Sequence, residues 1–142
     1  MATLTVTVTE GIVLNGSERG NSNTTSIASV SQVDSKIVPV ATAEASLILF
    51  DAAAAAGTFA DATLKYLRIS NLDATNYITL RVRGASEEYF VKLEPKGSYI
   101  LYNSLLDANG DAVEATAVLS NIDYIKAIAN TSSCDVEVFA AA

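Results

Sequence analysis

Histidine and tryptophan are missing from this 142-residue sequence, and cysteine occurs once, at Cys134. Without histidine there is no Ser-His or Cys-His nucleophile pair. A lone cysteine supports neither an intrachain disulfide framework nor a zinc site, and it suits a reducing compartment. Cys134 therefore reads as a small apolar residue in the last strand. No apolar run approaches the roughly 18 residues of a membrane span. No basic segment followed by an apolar stretch opens the sequence, so no signal peptide is expected. The Asn-x-Ser/Thr triplets at Asn15, Asn23 and Asn130 then carry no glycosylation inference. Ser-x-x-Lys, G-x-G-x-x-G and P-loop spacings are also missing.

Cations are scarce too. Nine Lys and Arg stand against sixteen Asp and Glu, for a net charge of −7, which argues against a general nucleic-acid binder. Their distribution is uneven. Residues 1–60 hold two cations against five acids, residues 61–98 six against five, and residues 99–142 one against six. Positive charge is concentrated in the middle third, at Lys65, Arg68, Arg81, Arg83, Lys92 and Lys96.

What is there is mostly strand texture. The hydrophobic fraction of 50% is swollen by 23 alanines, and the strong core formers come in runs of three to five. A chain of this length is most simply one domain, 1–142, able to bury roughly two-thirds of its unfolded surface without a metal or disulfide. Thr3 to Glu10 alternates threonine with Leu4, Val6 and Val8, predicting a strand with one apolar and one hydroxyl side. Ser17 to Thr25 is wholly polar and reads as a loop, which makes residues 1–25 a candidate N-terminal arm with a flexible linker. Ser26–Val33 and Ser35–Ala41 read as strands, with Pro39 placing the second at an edge or bulge. The stretch AEASLILFDAAAAAG admits a helix stopped by Gly57 or a buried strand Leu47–Phe50 before an alanine loop, and the strands around it favour the strand.

Two hairpins, with a strand–turn–strand segment between them, are expected downstream. Lys65–Ser70 and Tyr77–Gly84 flank the turn Asn71–Asn76, and in the second strand Tyr77, Thr79, Arg81 and Arg83 share the polar face. Tyr89–Glu94 and Tyr99–Tyr102 flank Pro-Lys-Gly-Ser; Ile122–Asn130 and Cys134–Ala140 flank Thr-Ser-Ser. Eight to ten short strands spaced near ten residues predict an all-β chain: an antiparallel β-sandwich or jelly-roll-like barrel with little or no helix.

Two candidate chemistries are weak. Asp107-x-Asn109-x-Asp111 begins like a calcium loop but has Ala112 where glycine is required and no glutamate at the twelfth position, so a solvated turn is expected. Glu87 and Glu88 form a carboxylate pair of the kind glycosidases use, but adjacent acids arise readily by chance among sixteen. The cationic middle strands say more. They are either an outward face balanced by Glu87, Glu88 and Glu94, or a docking face for an acidic partner in which Tyr77, Arg81 and Arg83 are the anchors.

The phrases TVTEGIVLNGSERGNSNTTSI, YLRISNLDATNYITLRV, YFVKLEPKGSYIL and IKAIANTSSCDVEVFAA follow one another along the chain. Together they resemble small virion proteins of tailed bacteriophages, particularly marine ones. The resemblance covers most of the chain and carries no catalytic signature. It implies a β-sandwich that assembles in copies on a capsid, neck or tail, after assembly in the host cytoplasm. The expected function is non-enzymatic: a capsid decoration or cement protein that binds the major capsid protein or other virion proteins, forms homo-oligomers, and needs no cofactor, metal, membrane or direct nucleic-acid contact. The face of Leu4, Val6 and Val8 is expected either to cover a neighbouring subunit by strand addition or to form the first strand of the chain's own sandwich. A neck, tail or fibre component is one alternative. Another is a carbohydrate-binding module using Tyr77, Tyr89, Tyr99 or Tyr102.

Overall fold

The computed structural model describes residues 1–51, 53, 55, 57–60, 63–84, 88–101 and 122–142. The described residues are all-β and divide into two compact units, Met1–Gln32 and Val33–Ala142.

The first unit is a two-stranded ribbon. β1 (Ala2–Glu10) pairs antiparallel with β4 (Asn21–Val30), with Leu4 opposite Ile27, Val6 opposite Thr25 and Val8 opposite Asn23. Because partners share a face, Leu4, Val6 and Val8 make one side with Ile27, Thr25 and Asn23, and Thr5, Thr7 and Thr9 make the other with Ser26, Thr24 and Ser22. Hydroxyls meet across that second side, Thr7 Oγ1 with Thr24 Oγ1 and Thr9 Oγ1 with Ser22 Oγ, each at 3.0 Å. A small hairpin, β2 (Val13–Leu14) with β3 (Ser17–Glu18), closes the far end. Its turn residues Asn15 and Gly16 both have positive φ, 52° and 76°, the combination a two-residue hairpin turn needs. Gly20 is required for a different reason: a Cβ there would lie 2.0 Å from the Glu10 carbonyl oxygen.

This unit corrects two expectations. The polar stretch Ser17–Thr25 is not a loop, because Asn21–Thr25 belongs to β4 and Ser17–Glu18 to β3. Threonine and serine look loop-like by polarity, yet cross-strand hydroxyl pairing lets them line an exposed sheet face. Likewise β1 is not the first strand of the sandwich, since it pairs only with β4 among the described residues.

The second unit is the sandwich. Its strands are β5 (Val33–Val40), β6 (Ala45–Asp51), β7 (Thr58–Ala60), β8 (Tyr66–Asn71), β9 (Ile78–Gly84), β10 (Glu88–Leu93), β11 (Ser98–Leu101), β12 (Ile122–Ala129) and β13 (Cys134–Ala141). They form a five-stranded sheet, β10-β9-β12-β6-β7, and a four-stranded sheet, β11-β8-β13-β5. Every pairing is antiparallel except β6 with the short β7. Among the described residues the sandwich has nine strands, within the eight to ten expected, and the ribbon unit adds four more.

The pairings nest. β9 pairs with β10, β8 with β11, β6 with β12 and β5 with β13, as if one long hairpin had been rolled into two sheets. This is the strand order of a jelly roll. The sheets stay open, so the architecture is a sandwich and not a closed barrel. Rolling also corrects the expected hairpins. β8 and β9, β10 and β11, and β12 and β13 are neighbours in sequence but sit in opposite sheets. Their turns cross the sandwich. Pro39 lies on β5, an edge strand, as its missing N–H predicts.

Alternation in both sheets supplies the core. Val40, Leu47, Ile48, Leu67, Ile69, Ile78, Leu80, Val82, Ile125, Val136 and Val138 are all at most 2% exposed and form one cluster. Burying side chains of this size contributes about 1.5–3 kcal/mol each. Cys134 is part of this cluster, and burial pushes its thiol pKa up. That is the expected apolar role, and it leaves little thiolate for chemistry.

Candidate interaction surfaces

The outer face of the five-stranded sheet gathers the residues singled out in the middle of the sequence. On β9, Ile78, Leu80 and Val82 point inward, so Thr79, Arg81 and Arg83 point outward. Register sets their neighbours: Glu88, Phe90 and Lys92 lie beside them on β10, and Tyr124, Lys126 and Ile128 on β12. Arg81 grips the Glu88 carboxylate with Nε at 2.8 Å and Nη2 at 2.7 Å, and reaches Glu44 with Nη1 at 3.2 Å. Arg83 shares Glu88 at 3.2 Å, and Lys126 shares Glu44 at 3.3 Å. The Tyr124 ring lies under two of these cations, with Lys126 Nζ 4.4 Å from its centroid and the Arg81 guanidinium carbon 5.8 Å. Tyr77 is engaged by Lys92 Nζ, 4.2 Å from its ring centroid, and Lys92 in turn pairs with Glu94 at 2.7 Å.

The electrostatics follow. Hydrogen bonds from Arg81, and secondarily from Arg83, hold the Glu88 carboxyl below the usual glutamate range. Partial burial pushes the Glu44 carboxyl up, but hydrogen bonds from Arg81 and Lys126 overcome it and the net direction is down. The cations of this face are therefore paired within the chain. Alternation puts Arg81 and Arg83 on one face, while Tyr77 precedes β9 and meets Lys92; Glu44, Tyr124 and Lys126 come from segments 33 or more residues away, and no local signal marks them. Glu87, the other acid expected to balance the face, lies outside the described residues, as do Tyr102 and the Asp107–Asp111 turn. Phe90 stands at the margin of this network, 61% exposed on the edge strand.

The ribbon supplies the second surface. Leu4, Val6 and Val8 form an apolar row along β1, with Val6 the most buried, and across it on β4 stand Ile27, Thr25 and Asn23. At the ribbon's hairpin end Ile12, Val13 and Leu14 are exposed by 52–66%.

A third feature lies at the end of the sandwich where the cross-sheet turns gather. Asn71 organises it. Its buried amide Nδ2 donates to the carbonyls of Asn76, Leu93 and Glu94, and its Oδ1 accepts from the Asp73 N–H at 3.0 Å. Asp73 in turn accepts from the backbone N–H groups of Asn76 and Thr75 at 2.6 and 2.7 Å, which hold its carboxyl below the usual aspartate range. Leu72, Asp73, Ala74, Lys96, Ser133 and Asp135 surround a pocket of about 430 Å³. Lys96 Nζ donates to the Leu72 carbonyl. Among the described residues no three His, Cys, Asp or Glu side chains converge to hold a metal ion.

The tyrosines proposed for sugar stacking are scattered. Tyr77 lies under Lys92, whereas Tyr89 and Tyr99 meet through their hydroxyls at 2.6 Å. No helix of the described residues is long and apolar enough to cross a membrane. Comparison with protein-family models, with curated proteins and with solved structures finds no match.

Proposed function

We propose that this chain is a non-enzymatic structural subunit of a phage virion, acting as a capsid decoration or cement protein on the assembled shell. The observation that carries the reading is the ribbon: a β-strand pair with an apolar row of Leu4, Val6 and Val8 that belongs to neither sheet of the sandwich. Two-stranded ribbons are marginal alone, and an apolar row of this kind gains stability by covering another surface. The jelly-roll order supports the same reading, because such sandwiches recur in viral capsid proteins. A subunit that binds only the assembled shell stabilises that state by mass action.

The candidate contacts are the Leu4, Val6, Val8 side and the Tyr77, Arg81, Arg83 face. On the second, a partner would exchange the internal pairs with Glu44 and Glu88 for its own, which favours selectivity more than raw affinity. The test is attachment to purified particles. Arg81→Glu with Arg83→Glu should lower occupancy, and unchanged occupancy removes that face from the proposal. Copy number separates the roles: hundreds of chains per particle support the shell, whereas a dozen or fewer support a neck, tail or fibre.

A carbohydrate-binding module is the second reading, favoured by the polar pocket of Asp73, Lys96, Ser133 and Asp135. Specific retention on a glycan array, lost in Asp135→Ala, would support it over the virion reading.

A further inference from the structure

We propose that β1 is a dimerisation strand: its free edge pairs antiparallel with β1 of a second copy about a two-fold axis through Val6, joining two ribbons into one four-stranded sheet. The inference begins with the residues. Around Val6 the sequence runs Thr3, Leu4, Thr5, Val6, Thr7, Val8, Thr9. In an antiparallel pair centred on Val6, Leu4 meets Val8 of the second copy, Val6 meets Val6, Thr5 meets Thr7 and Thr3 meets Thr9. From Thr3 to Thr9 every apolar residue finds an apolar partner and every threonine a threonine, while Ala2 and Glu10 meet at the strand ends. The pattern is self-complementary, as an isologous interface requires.

The structure leaves that edge available. β1 pairs with β4 alone among the described residues, so its other side carries a row of backbone donors and acceptors without a strand beside it. Ala2 to Thr9 contains no charge and no proline. These are the devices that normally blunt an edge. The sandwich uses them. β5 carries Pro39, and Asp34 and Lys36 occupy its inward side, paired to each other at 3.0 Å. β7 has three residues and β11 four, too short to template a partner. β10 is longer, at six residues, but places Lys92 on the edge. Only the two ribbon strands, β1 and β4, are long edges without charge or proline from Ala2 to Thr9 and from Asn21 to Val30, and of the two only β1 carries the alternating apolar pattern that matches a copy of itself.

Pairing would also complete the sheet's two faces. Leu4, Val6 and Val8 of both copies would form one apolar side, continued by Ile27 of each. Thr5, Thr7 and Thr9 would extend the hydroxyl ladder already bonded to β4 at Thr24 and Ser22. Four strands with an apolar face cross the threshold that a lone ribbon does not. The dimer deepens the virion reading and rests on it only for what the doubled apolar face covers; the pairing itself stands on the strand.

The full-length chain is tested by light scattering after size exclusion. The expected mass is twice the chain's 14.8 kDa. Thr5 and Thr7 are exposed and face each other across the two-fold, so charges there read the register directly. Thr5→Lys with Thr7→Lys should fall to a single-chain mass, and so should Thr5→Glu with Thr7→Glu. An equimolar mixture of the two should return to the doubled mass, as should the single chain carrying Thr5→Lys with Thr7→Glu. Far-UV circular dichroism verifies that each variant retains its strands. A wild-type chain of single mass overturns the proposal. So does a Lys/Lys variant that keeps the doubled mass, or a mixture that stays single. Particle attachment is scored separately: a doubled mass without attachment sinks the virion reading and leaves the dimer, while attachment by a single-mass wild type does the reverse.

Discussion

The hydroxyls of Tyr89 and Tyr99 meet at 2.6 Å, which ties β10 at the margin of one sheet to β11 at the margin of the other. In an open sandwich the sheet margins are where water enters, and a polar bond there closes the gap without a cross-link. Burial of Tyr99, and then its bond to Tyr89, push its phenol pKa well above the ordinary 10.

Alkaline unfolding should report this bond. A phenol with a raised folded-state pKa contributes stability that is intact below pH 10 and is lost as pH climbs from there. Tyr99→Phe should cost about 1 kcal/mol at neutral pH and reduce the steepness of alkaline unfolding. Tyr89→Phe should add little once Tyr99 is gone, a non-additivity read from denaturant midpoints of the double mutant.

Acid should act through Glu88. Its carboxyl is held down by Arg81 and Arg83, so its contribution is present above the ordinary value of 4.5 and fades as pH falls through the lower folded value. Glu88→Gln should therefore be less stable than the wild type at pH 7, with the gap closing under acid. A gap that persisted at pH 2 would mean that shape, not charge, makes the difference.

Asn71 should be the most sensitive polar residue. It is 1% exposed and bonds four backbone groups that belong to two cross-sheet connections, β8–β9 and β10–β11. Asn71→Ala strands those buried groups and should cost about 3 kcal/mol. That lowers the melting temperature by roughly 10 °C for a chain of this size. Asp73→Ala, on the exposed side of the same turn, should cost much less by the same calorimetric measurement.

Gly20→Ala should act on the ribbon alone. The added methyl would fall 2.0 Å from the Glu10 carbonyl oxygen, so the ribbon must open at that end. Faster amide exchange in β1 and β4 with unchanged protection in β9 and β12 is the expected result.

Local pattern made much of this molecule readable. Alternation in Ile78, Leu80 and Val82 against Thr79, Arg81 and Arg83 places each side chain on its face, because strand geometry turns every second residue the same way. Pro39 announces an edge by its missing N–H. Which strands pair is another matter. Lys65–Ser70 and Tyr77–Gly84 read as a hairpin, and nothing within them says that the six-residue turn crosses to the opposite sheet. That choice belongs to the rolled, nested pairing, where β8 gains β11 and β13 as neighbours instead of β9. For the same reason Glu44 and Lys126 join Arg81 only after folding. Polarity concealed the first half of β4, Asn21–Thr25, since its partner strand supplies the hydroxyls that make the pairing favourable. Side-chain direction is a property of adjacent residues, but strand partnership is a contest among distant segments for one shared core, and that contest is resolved in three dimensions.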